Sequence, residues 1–460
     1  MRTLSIAVSP GEAWAALRED NGVVELRVAR SGGGARPGAF YLGRVVALEP
    51  ELPAALVDIG EARPAFLSAE DALPRKGLAG LAEGEAVLVQ VKKAARADKA
   101  VGVTLRALIE GEFLALRPGR GGVSLRGRAF DAAERQRLKA ALARIARADE
   151  GFDVSEAALG ASEEALIADV AAMRARWQSI ERARERARPP ARLEAEEGPV
   201  IELAAEFLAP PPDRIVIDER AAYAELRHWL LRHRPALVPR LAYRAGPSEA
   251  EEIAAEVERA LAPRVALAGG GALVIESTAA ATMIDVDSGG VPAFAVNLMA
   301  ARTAAHQIRL RNLAGPTIID FIAMPGRHER DRVRDALAAA LRSDPAAPQL
   351  LGWTRLGHME LVRPRRRAAL AEVLCEPAYA GGLVKTALTV ALEALRAVAR
   401  AAEAAPAVAP LLRVAPEVAA ALAKGPARAA KDALEARLGR PVTLAPEPGR
   451  PRTAFDIGAV

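Results

Sequence analysis

One cysteine, Cys375, stands in 460 residues. That excludes an intramolecular disulfide framework and an all-cysteine zinc site within one chain, and it fits a reducing cytoplasm. Aromatic residues make up only 4%; Ala and Arg stand where many proteins use Phe, Ser or Lys. No run of about 18 uncharged apolar residues occurs, so no segment is expected to span a bilayer. The opening MRTLSIAVSPGEAW has no basic head followed by an apolar stretch, so no secretory signal is expected. A strong charge bias is missing too. Lys+Arg number 63 against 58 Asp+Glu, an excess too small to prove a polyanionic partner by itself. The five histidines (His228, His233, His306, His328, His358) show no metal-ligand spacing, and no internal repeat is visible.

What is present can fold. Hydrophobic residues are 51% and charged residues 26%, which permits cores and argues against wholesale disorder. At ~100–200 residues per domain, two to four units are expected. The first 35 residues read as two strands, Leu4–Val8 and Val23–Ala29, with a turn at Asn21-Gly22. A Gly-rich joint, SGGGARPG, follows. Between Ala39 and about Leu108, five short strand-like runs separated by turn signals are the size of a small closed barrel such as an OB-fold. Two stretches from Asp131 carry apolar residues at helical spacing, DAAERQRLKAALARIARA and EEALIADVAAMRARWQSIERARERA. After a polar linker at 187–199, strands and helices alternate in an α/β layout with largely buried strands. An Ala-rich segment after Cys375 reads as helices ending in a β-like stretch, GRPVTLA.

Two aspartates stand out. Asp285 closes the apolar run in ATMIDVDSGG, and Asp320 lies inside PTIIDFIAM. A carboxylate in a buried strand costs several kcal/mol unless paired or coordinated. If the two strands are neighbours, both carboxylates can hold a hard cation such as Mg²⁺ with waters completing the shell, and such an ion can activate water against a phosphodiester. Asp287, two residues on and therefore on the same strand face, could orient the site from behind. Asp285 and Asp287 are equally explained, on their own, as starters of the turn before Gly289-Gly290; no turn follows Asp320. A second signal is basic. Between Leu88 and Arg128 stand nine Lys/Arg, among them Lys92, Lys93, Lys99 and Arg106, against three acids. Phosphate contacts supply sequence-independent affinity, and Phe40, Tyr41 and Phe66 are candidates to stack bases. A solvated surface over core aromatics explains the same residues.

Taken together, these blocks resemble the catalytic half of the ribonuclease E/G family. YLGRVVALEPELPAALVDIGEARPAFLSAEDA resembles its S1-type barrel. GGGALVIESTAAATMIDVDSGG resembles its catalytic strand pair, and NLMAARTAAHQIRLRNLAGPTIIDFIAM the block that carries its second aspartate. The resemblance runs from residue 1 to about 382, and more loosely beyond. It implies a multi-domain α/β protein: an RNase H-like domain (1–36 and 200–264) with an inserted S1-type OB-fold barrel (37–118), a sensor-like region with helices (119–199), a DNase I-like catalytic α/β domain (265–372), a degenerate zinc-link (373–382) and a small C-terminal helical/αβ domain (383–460). It implies that Asp285 and Asp320 bind Mg²⁺ and are catalytic, with Asp287 standing where the family has Asn. It implies RNA contacts through Tyr41, Phe66, Lys92, Lys93, Lys99 and Arg106.

The departures carry expectations of their own. The family's sensor block GLIVRTAG aligns with GFDVSEAALG, so Ser155 and Glu156 replace the Arg and Thr that hold a five-prime monophosphate, and Ala347 replaces a third, Arg, contributor. Glu156 would repel phosphate, so no preference for monophosphorylated ends is expected. The paired zinc cysteines align with CEPA, leaving Cys375 alone. No zinc site is expected, and a homodimer, if formed, is not zinc-linked. Leu56 replaces one stacking Phe. Ala279 and Ala323 replace acidic residues near the catalytic strands. The expected function is a cytoplasmic, Mg²⁺-dependent endoribonuclease of the short, G-like form, without a membrane partner. It would cut single-stranded A/U-rich RNA in ribosomal RNA processing or mRNA decay. The competing expectations are a non-catalytic RNA-binding or ribosome-associated protein and, from fold analogy alone, a deoxyribonuclease.

Overall fold

The structure is a computed structural model. It describes the chain except residues 21, 33, 50–51, 74–76, 95–99, 126–129, 196, 209, 366, 379–380 and 460, and except the side chains of 247–248. The chain forms two compact units, one of Met1–Gly32 with Gly198–Val460 and one of Gly33–Glu197.

The first sheet of the discontinuous unit has Arg2–Ser9 at its centre. It pairs in parallel with Arg214–Ile217, which pairs in parallel with Leu241–Tyr243. On its other side run the antiparallel strands Glu12–Glu19 and Gly22–Arg30. Successive side chains alternate between faces. Leu4, Ile6, Ala13, Ala15 and Leu17 pack on helices Pro199–Glu206 and Arg220–His233. Ala7, Trp14, Ala16 and Leu26 pack on Ile253 and Val257 of helix Pro247–Leu261. The strand Glu12–Glu19 was not among the sequence expectations. Its Ala, Glu and Arg are poor strand formers, and burial on both faces overrides that preference.

A second, six-stranded sheet runs in the order Arg264–Ala266, Ala272–Ser277, Thr282–Asp287, Gly315–Asp320, Met359–Arg363, Gln349–Trp353. Only the central pair, Thr282–Asp287 with Gly315–Asp320, is parallel. Helix Ala293–Leu310 makes the crossover such a pair requires. One face carries Leu273, Ile275, Ile284, Val286 and Ile319 against Val296, Ala300, Ala304 and Ile308 of that helix and Val333 and Leu337 of helix Arg327–Leu341. The buried alanines allow close approach of helix and sheet. The expectation of largely buried strands fails here. Thr282–Asp287 alternates strictly, with Ile284 and Val286 buried and Met283 and Asp285 exposed, so the sheet covers one face only. A smaller body with its own core follows. Helix Ala387–Ala404 and helices Pro416–Leu422 and Gly425–Leu438 pack with strands Pro410–Val414, Thr443–Pro446 and Phe455–Ala459.

In the other unit, Phe40–Glu49, Ala54–Asp58, Ala65–Ser68, Gly102–Thr104 and Ala86–Lys93 close into a five-stranded barrel, the last strand pairing back on the first. Gly43 is required at that closure. A Cβ there would lie 2.5 Å from the Val57 side chain and 3.1 Å from the Asp58 carbonyl. Beside the barrel, four short strands pack on helices Ala132–Ile145 and Glu163–Arg186, whose N-termini are capped by the side chains of Asp131 and Ser162.

Candidate active site

In the six-stranded sheet, Asp285 and Asp320 are direct partners across the one parallel pair. Neighbouring strands are ~4.8 Å apart, and partner side chains share a face. Both carboxylates therefore stand side by side on the face that the helices leave open. Each is exposed, so the cost of burial that first marked them does not apply. Their register is what brings them together. Asp285 forms no hydrogen bond or ion pair with the described residues. Two adjacent like charges without a counter-charge destabilise a sheet; a shared divalent cation removes that repulsion. The donor set of carboxylate oxygens, open to water, suits Mg²⁺. Among the described residues no group of three or more His, Cys, Asp or Glu side chains stands placed to hold a metal ion, so water would fill the shell around the two aspartates.

Asp287 lies on the same face but is engaged otherwise. Its Oδ2 accepts from Arg264 Nη2 at 2.7 Å and its Oδ1 from the Gly289 N–H at 3.1 Å. Arg264 and that backbone donor hold its carboxyl below the usual carboxylate range. The turn it starts interlocks with the loop before Ala272. Gly271 has φ +81°, and a Cβ there would lie 2.4 Å from the Asp287 carbonyl. Glu276 and Glu360 add negative charge to the same face: Glu276 pairs with Met283, Met283 with Ile318, and Ile318 with Glu360. Ala279 and Ala323 are exposed and add no donor.

The chain after Asp320 is held by one side chain. Asn297, fully buried in the crossover helix, donates from Nδ2 to the Ile322 carbonyl at 2.8 Å and accepts the Ile322 N–H on Oδ1 at 3.1 Å. The fold also brings in a residue that linear spacing did not suggest. His358, at the end of the Thr354–His358 turn, places Nε2 3.6 Å from Asp320 Oδ1. Antiparallel register with the Asp320 strand was the signal that could have found it.

The barrel residues divide. Phe40 and Tyr41 are buried, Phe40 in an edge-to-face contact with Trp177 and Tyr41 in the barrel core. The expectation that they stack bases is corrected, because neither presents a ring to solvent. Phe66 is 41% exposed. It pairs with Leu56 on one side and Gly102 on the other, and Gly102 pairs with Lys93. The stem of the exposed Lys93 lies over the space that Gly102 leaves, 3.4 Å from where a Cβ would be. Lys92 is paired with Asp71 at 2.8 Å. Although burial works to raise it, the Asp71 carboxyl lies below its ordinary value because Lys92 and Ser68 donate to it. Arg106 donates to the Ala72 carbonyl at 2.9 Å. Lys99 lies outside the described residues. At the sensor-like block, Ser155 Oγ donates to the Phe113 carbonyl at 3.0 Å and Glu156 is exposed. Cys375 is half-buried at the head of the hairpin Cys375–Pro377 and Leu383–Lys385, and burial pushes its thiol pKa up.

The model of the Ribonuclease E/G family matches residues 108–366. The chain belongs to the ribonuclease E/G family. It is 30% identical to ribonuclease G of Salmonella typhimurium over 426 residues, which cover 86% of this chain and 87% of the relative. Ribonuclease G of Escherichia coli matches to the same extent. Ribonuclease E of Nostoc is 32% identical over 404 residues, 83% of this chain but 58% of the relative. The family match spans both open-face aspartates and the sensor-like block of this ribonuclease E/G-family chain.

Proposed function

We propose that this endoribonuclease of the ribonuclease E/G type cuts single-stranded, A/U-rich RNA with Mg²⁺ held by Asp285 and Asp320. It acts in the cytoplasm, in ribosomal RNA processing or mRNA decay, and does not select five-prime-monophosphorylated ends. The observation that carries the reading is the in-register pairing of Asp285 with Asp320 on an open, acidic sheet face. When bound, Mg²⁺ supplies a polarised water and neutralises charge gathering on the phosphodiester. The chain's own residues do the rest. Asp285 and Asp320 hold the ion, Asn297 fixes the backbone that follows Asp320, and Arg264 keeps Asp287 from adding a further free charge. Phe66 offers a ring to a base, and Lys93 beside it offers charge to a phosphate. The first sheet, three antiparallel strands extended by two parallel ones, supports the RNase H-like assignment. The six-stranded mixed sheet is the DNase I-like domain in this reading. Glu156, where a phosphate-binding residue would stand, supports indifference to the five-prime end.

One assay tests the reading. Short unstructured RNAs with hydroxyl, monophosphate or triphosphate five-prime ends are incubated with and without Mg²⁺. Wild type is expected to cut all three at similar rates, only with the metal. The Asp320→Asn variant keeps RNA affinity and loses cleavage by about 100-fold or more, the scale of several kcal/mol of transition-state stabilisation. Unchanged cleavage by the variant rejects the metal role. RNA bound and never cut in any divalent cation leaves the binding-only alternative, and a large monophosphate advantage rejects the assignment at Ser155 and Glu156.

A further inference from the structure

We propose that His358 is a third ligand of the Asp285–Asp320 site, turning an all-oxygen Mg²⁺ centre into a mixed oxygen–nitrogen centre that takes Mn²⁺ more tightly than Mg²⁺. The inference rests on the assignment of Asp285 and Asp320 as the metal-binding aspartates and goes beyond it. Ile319 pairs with Met359 and Ile318 with Glu360 in antiparallel register. One step further along the ladder, Asp320 faces His358. One row across the open face therefore carries Asp285 and Asp320 on adjacent strands and His358 in the turn just before the next.

The separation has meaning. His358 Nε2 and Asp320 Oδ1 are 3.6 Å apart, beyond the ~3.2 Å limit of a good N–H···O hydrogen bond. Two donors about 2.1 Å from one ion are themselves separated by ~3–3.5 Å. At 3.6 Å the pair is too far apart for a hydrogen bond and just outside the spacing of two donors on one ion, so a small side-chain rotation brings both onto it. The turn fixes the histidine backbone: the His358 N–H donates to Thr354 Oγ1 at 3.1 Å and its carbonyl accepts the Thr354 N–H at 2.8 Å. The side chains stay adjustable, Asp320 at 52% and His358 at 30% exposure. A rotation of the Asp285 side chain, exposed and unengaged on the adjacent strand, would complete the set. Two other histidines are already committed, His306 to the Val23 carbonyl and His233 to the Trp229 carbonyl. Imidazole is a good ligand for transition divalent cations, whereas Mg²⁺ keeps oxygen ligands and waters. The acidic neighbours Glu276 and Glu360 draw any divalent cation to this face without distinguishing between them.

The test uses Mn²⁺ and Mg²⁺ themselves with the full-length chain and no RNA. Mn²⁺-loaded wild type is examined by electron spin-echo envelope modulation, and both metals are titrated by calorimetry. Nitrogen-14 modulation is expected in wild type and absent in His358→Leu. The same variant is expected to bind Mn²⁺ about 10-fold more weakly and Mg²⁺ within about 3-fold of wild type. Asp320→Asn is expected to lose both metals. Mn²⁺ bound without nitrogen modulation in wild type overturns the histidine ligand and leaves the aspartate site standing. Metal binding untouched by Asp320→Asn overturns the aspartate site, and the histidine ligand with it. The wild-type spectrum decides even if the leucine variant fails to fold.

Discussion

Asp218 shows how much one side chain's surroundings change its chemistry. It follows the strand Arg214–Ile217, its Oδ1 accepting the Val8 N–H at 2.9 Å. Burial pushes its pKa up to about 6, and Glu219 and Glu249 push the same way against that hydrogen bond. The folded state thus holds the proton more tightly than the unfolded chain does. This group favours folding below the unfolded carboxylate value, about 4, and that contribution is lost as pH rises through about 6. Replacing the ionisable group should therefore stabilise the protein where wild type must hold a charge. Asp218→Asn keeps an acceptor for Val8 and is expected to gain on the order of 1–3 kcal/mol at pH 8, shrinking toward zero by about pH 4. Urea melts at three pH values read this directly. Equal losses at every pH would show that the carboxylate makes a contact its burial does not reveal. Asp285 and Asp320, by contrast, are exposed, and their value lies in the register that pairs them.

At the scale of elements, the strand Met359–Arg363 binds the edge of the Asp320 strand and ends in a buried ion pair. Arg363 Nε and Nη2 donate to Asp344 Oδ2 at 2.6 Å and Oδ1 at 3.2 Å, and Nη1 donates to Asn312 Oδ1 and the Leu313 carbonyl. The two side chains are 3% and 2% exposed. Removing one partner leaves an uncompensated charge in the interior. Arg363→Met is therefore expected to cost about 3–5 kcal/mol in urea unfolding, and the double variant with Asp344→Leu should recover much of that loss. Elements of this kind were unevenly legible. The helices Ala132–Ile145 and Glu163–Arg186 follow from a 3.6-residue period and a cap, both local signals. Glu12–Glu19 carries no such signal; its composition suits a helix and only tertiary burial makes it a strand. Pro410–Val414 was hidden in the same way by an Ala-rich, helix-favouring context. The aspartate pair was legible because Asp285 closes a short apolar run and Asp320 interrupts one. His358 was not, because its place beside Asp320 depends on a hairpin and a register that no linear spacing records.

For the whole molecule, the barrel and the aspartate face belong to different units of the chain, so grip and chemistry should be separable by experiment. Phe66 is the exposed aromatic of the row Leu56, Phe66, Gly102, Lys93, and Leu56 offers that row an aliphatic surface instead of a second ring. Stacking is worth about 1–3 kcal/mol per base and depends little on salt. A phosphate contact is electrostatic, and each one lost flattens the dependence of log affinity on log salt by about 0.7 for a single strand. Phe66→Ala is therefore expected to weaken RNA binding about 5- to 100-fold with the salt slope kept. Lys93→Ala should weaken binding less at high salt than at low salt and reduce the slope. Under multiple turnover both variants raise KM, while kcat at saturating RNA stays within a few-fold, since neither residue touches the reacting phosphate in this scheme. Fluorescence anisotropy across a salt series, run beside the cleavage assay, resolves the two terms. A fall in kcat as large as that of Asp320→Asn would mean that the barrel takes part in the chemistry itself. An unchanged affinity in both variants would move the RNA grip off the Phe66 row altogether.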